Sequence, residues 1–357
     1  MDFALTGEQE ALRDTAAKYL ADGRAAGDTD RTWADVIGLG WLDPELGTVE
    51  LALLAEQLGH ARSPLPWWST VGLAGPALRA AGREPRRPAT LAWAEESGPG
   101  TLAALLAPNR PGPVGCTVAA DGTLRGRKVA VPHAAEAADL VVAVAGPDGV
   151  ALRLVDASAL RPAPTDAGPA GLEPTRPAAT VDLSGLASTP LVAADAGRDV
   201  LAATRRRTLT LLAAEAVGVA ARALSWAVGY AGARTQFGRP IGANQAVAHP
   251  LADLYGQVET ARSLAYRAAW SVDAEPGPVA DRAVAAAAVA GREAATTACE
   301  TAIQTYGGSG FTWDQPLHHW YRRAWWLATF DGTVADLRTE LAASLLDDAS
   351  GQDAPGR

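Results

Sequence analysis

An α+β protein of several domains is what the sequence predicts: helical first, then β, then a C-terminal four-helix bundle. Three observations predict it. Apolar residues recur at helical spacing up to about residue 85. Short alternating segments, punctuated by proline and glycine, fill 88 to about 195. Four long helical segments with short connections occupy 197 to about 349. At 357 residues the chain is also long for a single core. The domains expected are therefore 1–87 (helical), 88–196 (β) and 197–349 (bundle), with 350–357 as a flexible tail.

The elements follow in order. Thr6 and Gln9 have the spacing of a capping box, and Leu12, Ala16, Tyr19 and Leu20 continue that helix. Leu51, Leu54, Ala55 and Leu58 form a second stripe that Gly59 closes. Ser63-Pro64-Leu65-Pro66 breaks the pattern before a helix restarts near Trp67. In the β region, Leu140–Ala145 and Val150–Val155 flank the turn Pro147-Asp148-Gly149. A second hairpin turns at Asp121-Gly122, between Cys116–Ala119 and Leu124–Val131. In the bundle, the helix at roughly 245–272 carries Leu251, Leu254, Val258, Ala261 and Leu264 on one face. The next starts at Pro278 and stops at Gly307-Gly308, and the last runs from about Pro316.

Composition excludes several classes. With 48% hydrophobic and 20% charged residues the chain is globular and not disordered. It has no uncharged apolar run long enough for a membrane span, and its start lacks the basic and apolar regions of a secretory signal. Cys116 and Cys299 lie far apart without metal-ligand spacing, which suits small buried residues in a reducing, cytoplasmic setting. His318 and His319 are adjacent on a helix and cannot share a metal, so no metal is expected. A net charge of −9 argues against nucleic acid, and an anionic ligand would need local arginines.

Two segments stand out. Arg234-Thr235-Gln236-Phe237-Gly238-Arg239-Pro240-Ile241 is followed by Gln245, eleven residues after Arg234. The arginine forks suit a phosphate or pyrophosphate, and Phe237 can lie against a flat heterocycle. A helix end followed by a proline-bounded turn with solvated arginines accounts for the same residues. Gln304-Thr305-Tyr306-Gly307-Gly308-Ser309-Gly310-Phe311 lacks the spacing of a dinucleotide or P-loop fingerprint. Asp331-Gly332-Thr333 follows, where Asp331 can cap a turn before Gly332. Glu215 is a lone acid in an apolar helix, Arg205-Arg206-Arg207 reads as a solvated face, and His133 as a solvated loop residue.

Together these segments resemble the acyl-CoA dehydrogenase family. Its Arg-x-x-Phe-Gly motif and later glutamine are matched by Arg234, Phe237, Gly238 and Gln245, and its Gln-x-x-Gly-Gly-x-Gly-Phe motif by Gln304, Gly307, Gly308, Gly310 and Phe311. The first helix and Gly126-Arg127-Lys128 are similar to family segments as well. The resemblance implies a β-barrel-like middle domain and FAD bound across a subunit interface. Arg234 and Gln245 would hold the pyrophosphate region, with Gln236 and Phe237 as further cofactor contacts. Gln304, Gly307 and Gly308 would meet the adenosine half, with Thr333 a further contact.

The implied reaction is α,β-dehydrogenation of an acyl thioester, on CoA or an acyl carrier protein. A carboxylate takes the α-proton, hydride passes to the flavin N5, and electrons leave to an acceptor. Spacing puts Asp331 where the family has glutamate in Glu-Gly-Thr. In some members the base comes from the first bundle helix, where Glu215 is an outside candidate and Thr208 lies nearer the position. Trp93-Ala94-Glu95-Glu96-Ser97 and Val129-Ala130-Val131-Pro132-His133 correspond to the flavin-facing stretches but differ from them: Pro132 has no N–H to give and Ala130 cannot stack. The chain also resembles short subunits that pair with an unlike homologue. A homo- or hetero-oligomer is therefore implied, and a non-catalytic partner, a nitroalkane-oxidase-like enzyme or a non-redox enzyme are the alternatives.

Overall fold

The computed structural model describes residues 4–22, 29–98, 100–107, 114–147, 149–160, 163–164 and 169–352. Asp148 of the expected turn and 353–357 of the expected tail lie outside the described residues. Helices α1 (Gly7–Ala21), α2 (Thr29–Gly38) and α3 (Thr48–His60) precede a π-helical segment, Ser69–Ala74, that runs into α4 (Gly75–Ala80). Then come β1 (Ala89–Ala92), α5 (Leu102–Leu106), β2 (Thr117–Val118), β3 (Leu124–Arg125), β4 (Arg127–Pro132), β5 (Asp139–Gly146) and β6 (Gly149–Asp156). β7 (Ala163–Pro164), α6 (Pro169–Leu172), β8 (Ala178–Asp182) and β9 (Thr189–Val192) complete the β region. The long α7 (Ala194–Ala233) leads to β10 (Thr235–Gln236), β11 (Arg239–Pro240), α8 (Gln245–Ala274), α9 (Gly277–Tyr306), α10 (Leu317–Thr329) and α11 (Val334–Gln352).

The chain forms two compact units, each built from separate stretches. One comprises Met1–Asp22, Gly47–Ser63 and Leu209–Arg357; the other comprises Gly23–Leu46 and Pro64–Thr208. These units cut across the contiguous ranges read from sequence texture.

In the second unit, β1, β5, β6 and β9 form one sheet and β4, β8 and β7 another. β5 and β6 pair over their full length as the expected hairpin, and β2 pairs with β3 around Asp121-Gly122. Val131, Leu140, Val142, Val144, Val155 and Val181 share the apolar core. The β4–β8 register shifts between Lys128 and Val131, where Ala130 takes a φ of 50°.

In the first unit, the capping box at Thr6 and Gln9 starts α1. α8 packs along α9, and α10 and α11 lie against α9 in turn. α3 starts at Gly47, which has no side chain to cap with. Asp273 of α8 does the work, accepting from the Thr48 amide and hydroxyl at 2.6 Å each. Gly59, expected to close α3, lies inside it. Its role is a helix crossing: a Cβ there would sit 2.1 Å from the Glu215 carbonyl oxygen on α7. Gly218 of α7 answers from the other side, where a Cβ would sit 1.9 Å from the Glu56 carbonyl. Gly59→Ala is therefore expected to destabilise by about 1–3 kcal/mol through forced backbone separation. Gly256→Ala, at an open helical position, should stabilise by about 0.5–1 kcal/mol. Urea melts of the two variants check the contrast.

By length and composition α7 could cross a membrane, but 72% of its most apolar stretch is buried inside the protein, as suits a core helix. Cys116 and Cys299 are free and buried, as expected.

Candidate functional site

α7 ends where Tyr230 accepts the Arg234 amide, and a two-residue hairpin follows. Phe237 and Gly238 both have positive φ, 51° and 79°, which a tight turn between paired strands requires. The turn puts Phe237 fully into solvent, with Arg234, Gln236 and Gln245 also exposed. Asn244, at the α8 N-cap, makes no side-chain cap; its Oδ1 accepts from Arg239 at 2.5 Å instead. The α8 amino-terminal N–H groups thus lack a side-chain acceptor beside a cationic hairpin.

Tyr230 stacks on Tyr306 with centroids 4.1 Å apart, which brings the end of α9 to the same end of the bundle. Gly307 ends α9 with φ 61°, and Gly310 is buried where a Cβ would meet the Ile303 carbonyl at 2.6 Å. Gly308 has open space around it and Gln304 is exposed. Two motifs seventy residues apart in Arg234 and Gln304 therefore share one surface. Arginine, the amino-terminal end of α8, an exposed ring and an open glycine together fit an anionic, aromatic cofactor such as FAD.

The expected last helix is two helices. Phe330 leaves α10 in an extended conformation, and Asp331 and Gly332 follow with φ of 55° and 108°. Two successive left-handed residues cannot continue a helix. Aspartate enters that region more readily than most side chains, which gives a local reason for Asp at this position. Thr333 and Asp336 then start α11: the Asp336 carboxylate accepts from the Thr333 amide and hydroxyl at 2.8 Å each, and the Thr333 oxygen accepts the Asp336 amide at 3.2 Å. The Thr333 hydroxyl proton is thereby committed to the cap, and capping does not fall to Asp331. Asp331 is buried, 6% exposed. Arg292 of α9, 2% exposed, donates from Nη1 to the Gly332 carbonyl at 2.9 Å and from Nη2 to the Phe330 carbonyl at 2.6 Å. Along α9, Arg292 lies about 18 Å from Gln304 at 1.5 Å per residue.

Glu215 is buried on α7 and accepts from Arg323 of α10 at 2.5 Å, while Arg323 also donates to the Ser63 carbonyl at 3.0 Å. The carboxylate therefore faces a buried guanidinium. Nearby, burial and the charges of Arg222 and Arg262 lower the His60 imidazole to about 4. Its folded value lies below the unfolded 6.5, so the unfolded chain takes up the proton first. Stability is unaffected above pH 6.5 and falls by about 1–3 kcal/mol as pH drops to about 4, allowing for partial exposure. His60→Gln should remove that component from the pH dependence of chemical denaturation.

In the other unit, His133 departs from expectation. It is buried, has φ 51°, and its Nε2 accepts from the Trp68 indole at 3.2 Å. Sequence alone presented a polar residue after proline; tertiary packing closed over it. Arg205, Arg206 and Arg207 are half-buried and not a fully solvated face. Glu95, within the segment expected near flavin, turns inward and accepts from Lys128 Nζ at 2.5 Å and from the amides of Gly115 (2.6 Å) and Cys116 (3.0 Å). Burial pushes its carboxyl up, but the Lys128 hydrogen bond and charge with those amides outweigh it and hold it below the usual range. His318 and His319 pack against each other with ring centroids 4.0 Å apart, and among the described residues no acid, histidine or cysteine cluster could hold a metal.

Sequence reasoning missed Arg292, Arg323 and the Lys128–Glu95 pair. The available signal was a charge on an otherwise apolar face, as in Val289-Ala290-Gly291-Arg292.

Residues 197–346 match the model of the acyl-CoA dehydrogenase C-terminal domain. Acyl-CoA dehydrogenase IpdE2 of Mycobacterium tuberculosis is 43% identical over 114 residues, 32% of this chain and 34% of that protein, so the match spans about a third of the curated relative. The solved Tcur3481–Tcur3483 steroid ACAD is 26% identical with a TM-score of 0.78, over 96% of this chain and 99% of that one. A chain of the ChsE4–ChsE5 complex from Mycobacterium tuberculosis, 23% identical, has the same fold with a TM-score of 0.80 over 100% of both chains. Residues 197–346 thus belong to the acyl-CoA dehydrogenase C-terminal domain family, and nearly the whole chain shares the fold of a solved acyl-CoA dehydrogenase.

Proposed function

We propose that this chain is a subunit of a FAD-dependent acyl-thioester dehydrogenase in which Asp331 takes the substrate's α-proton. The observation that carries the reading is a buried carboxylate held in left-handed backbone at a helix break whose cap is made by other residues. Unfavourable backbone of this kind persists where surrounding structure imposes it, often at sites of chemistry. Arg234 and Gln245 would hold the pyrophosphate end of FAD, with Gln236 and Phe237 as further contacts, and Gln304, Gly307 and Gly308 would meet the adenosine half. When bound, FAD supplies the acceptor for the β-hydrogen, which leaves as hydride as the Cα–Cβ double bond forms. Asp331 accepts the α-proton on a carboxylate oxygen and becomes the neutral acid. Glu215, whose carboxylate pairs with Arg323, is the second candidate.

The exposure of the nucleotide-end side chains favours a second chain as their cover. That chain is either another copy or an unlike homologue, and the likeness to a ChsE4–ChsE5 chain supports the unlike partner. In the heteromeric form this subunit completes a partner's site, with or without chemistry of its own. Acyl-CoA or an acyl carrier protein is the substrate class, with a steroid-sized acyl group included on the likeness to the steroid ACAD. The setting proposed is cytoplasmic.

The absorbance spectrum of the purified protein, alone and co-expressed with a homologous chain, tests the proposal. A flavin spectrum alone supports a homo-oligomeric site, and one only on co-expression supports the heteromer. No flavin in either preparation rejects the reading. Bleaching by an acyl-CoA, as against oxygen uptake with a nitroalkane, assigns the reaction.

A further inference from the structure

We propose that Arg292 is the positioning residue of the site: its guanidinium clamps the two carbonyls flanking Asp331 and so sets where the base stands. The inference rests on the reading of Asp331 as the base. Phe330 and Gly332 turn their oxygens toward one side chain, and a single planar fork meets both, at 2.6 and 2.9 Å. Only arginine offers two parallel donors in fixed geometry; a lysine ammonium is a point donor on a flexible stem.

The clamp starts from a fixed place. Gly291 packs where a Cβ would lie 2.9 Å from the Ala213 carbonyl of α7, and Glu293 pairs with Arg338 of α11 at 2.5 Å. Arg292 thus projects from a stretch of α9 registered against helices on both sides. With both neighbouring carbonyls held, the left-handed φ of Asp331 and the direction of its short side chain have little freedom. A shift of about 1 Å in a reacting group costs on the order of a hundredfold in rate, and an aspartate has no extra methylene with which to recover it.

The experiment uses the flavin-loaded protein, in whichever oligomer carries flavin, and compares Arg292→Met, Arg292→Lys, Asp331→Asn and Arg292→Met/Asp331→Asn. Arg292→Met is expected to lower kcat about a hundredfold with little change in KM, and Arg292→Lys to fall between it and the parent. Hydrogen exchange should quicken in the peptide spanning 329–334 while peptides from α8 keep their protection. On the Asp331→Asn background, Arg292→Met should cost no further activity, because its effect passes through the base. A merely structural arginine would give the same fold loss on both backgrounds, which overturns the proposal. So does parental kcat in Arg292→Met while Asp331→Asn is inactive. If Asp331→Asn is fully active, the base assignment falls instead, whatever the exchange data show. Should Arg292→Met fail to fold, Arg292→Lys carries the same comparisons.

Discussion

Asp331→Asn is expected to lower turnover about a thousandfold or more while leaving flavin binding and the fold intact. Loss of a positioned general base costs typically about 10²–10⁴ in rate. Asparagine is the informative substitution because the position demands a φ of 55°, and asparagine enters that region as readily as aspartate. The turn, its Arg292 hydrogen bonds and the Thr333–Asp336 cap should all persist. What changes is the capacity to accept a proton. The check is steady-state turnover with an artificial electron acceptor alongside the flavin absorbance. Retention of parental kcat with full flavin would move the base elsewhere.

Arg323→Met is expected to destabilise by about 3–5 kcal/mol, because it takes the guanidinium away from the buried Glu215 carboxylate and removes the donor to the Ser63 carbonyl. Arg323→Met combined with Glu215→Leu should recover most of that loss, since an apolar pair of similar volume avoids the desolvation cost. Equilibrium unfolding in urea measures both. The double variant also decides between the two carboxylates. If Glu215 serves only to pair with Arg323, the refolded double variant retains activity; if Glu215 is the base, it does not.

Several features were legible in the sequence because they depend on neighbours within a few residues. The Thr6–Gln9 capping box, the β5–β6 hairpin around residue 148 and the helix stop at Gly307 are all set by local backbone chemistry. The two glycine-bearing motifs could also be read, as could the spacing to Asp331. Other features depend on what arrives from elsewhere in the chain. Gly59 looks like a helix stop until α7 crosses it, and His133 looks solvated until Trp68 covers it.

The helix break at Phe330–Thr333 lies between these cases. Sequence placed a carboxylate, a glycine and a threonine in order, and so located the candidate base and the family resemblance. Tertiary structure decided what each of the three residues does. Arg292, thirty-nine positions before Asp331 along the chain, meets the carbonyls on both sides of it, and Asp336 engages Thr333. A short-range pattern can name a residue able to take a proton. Holding it still requires a buried donor from another helix, and that partner is visible only once the helices are packed.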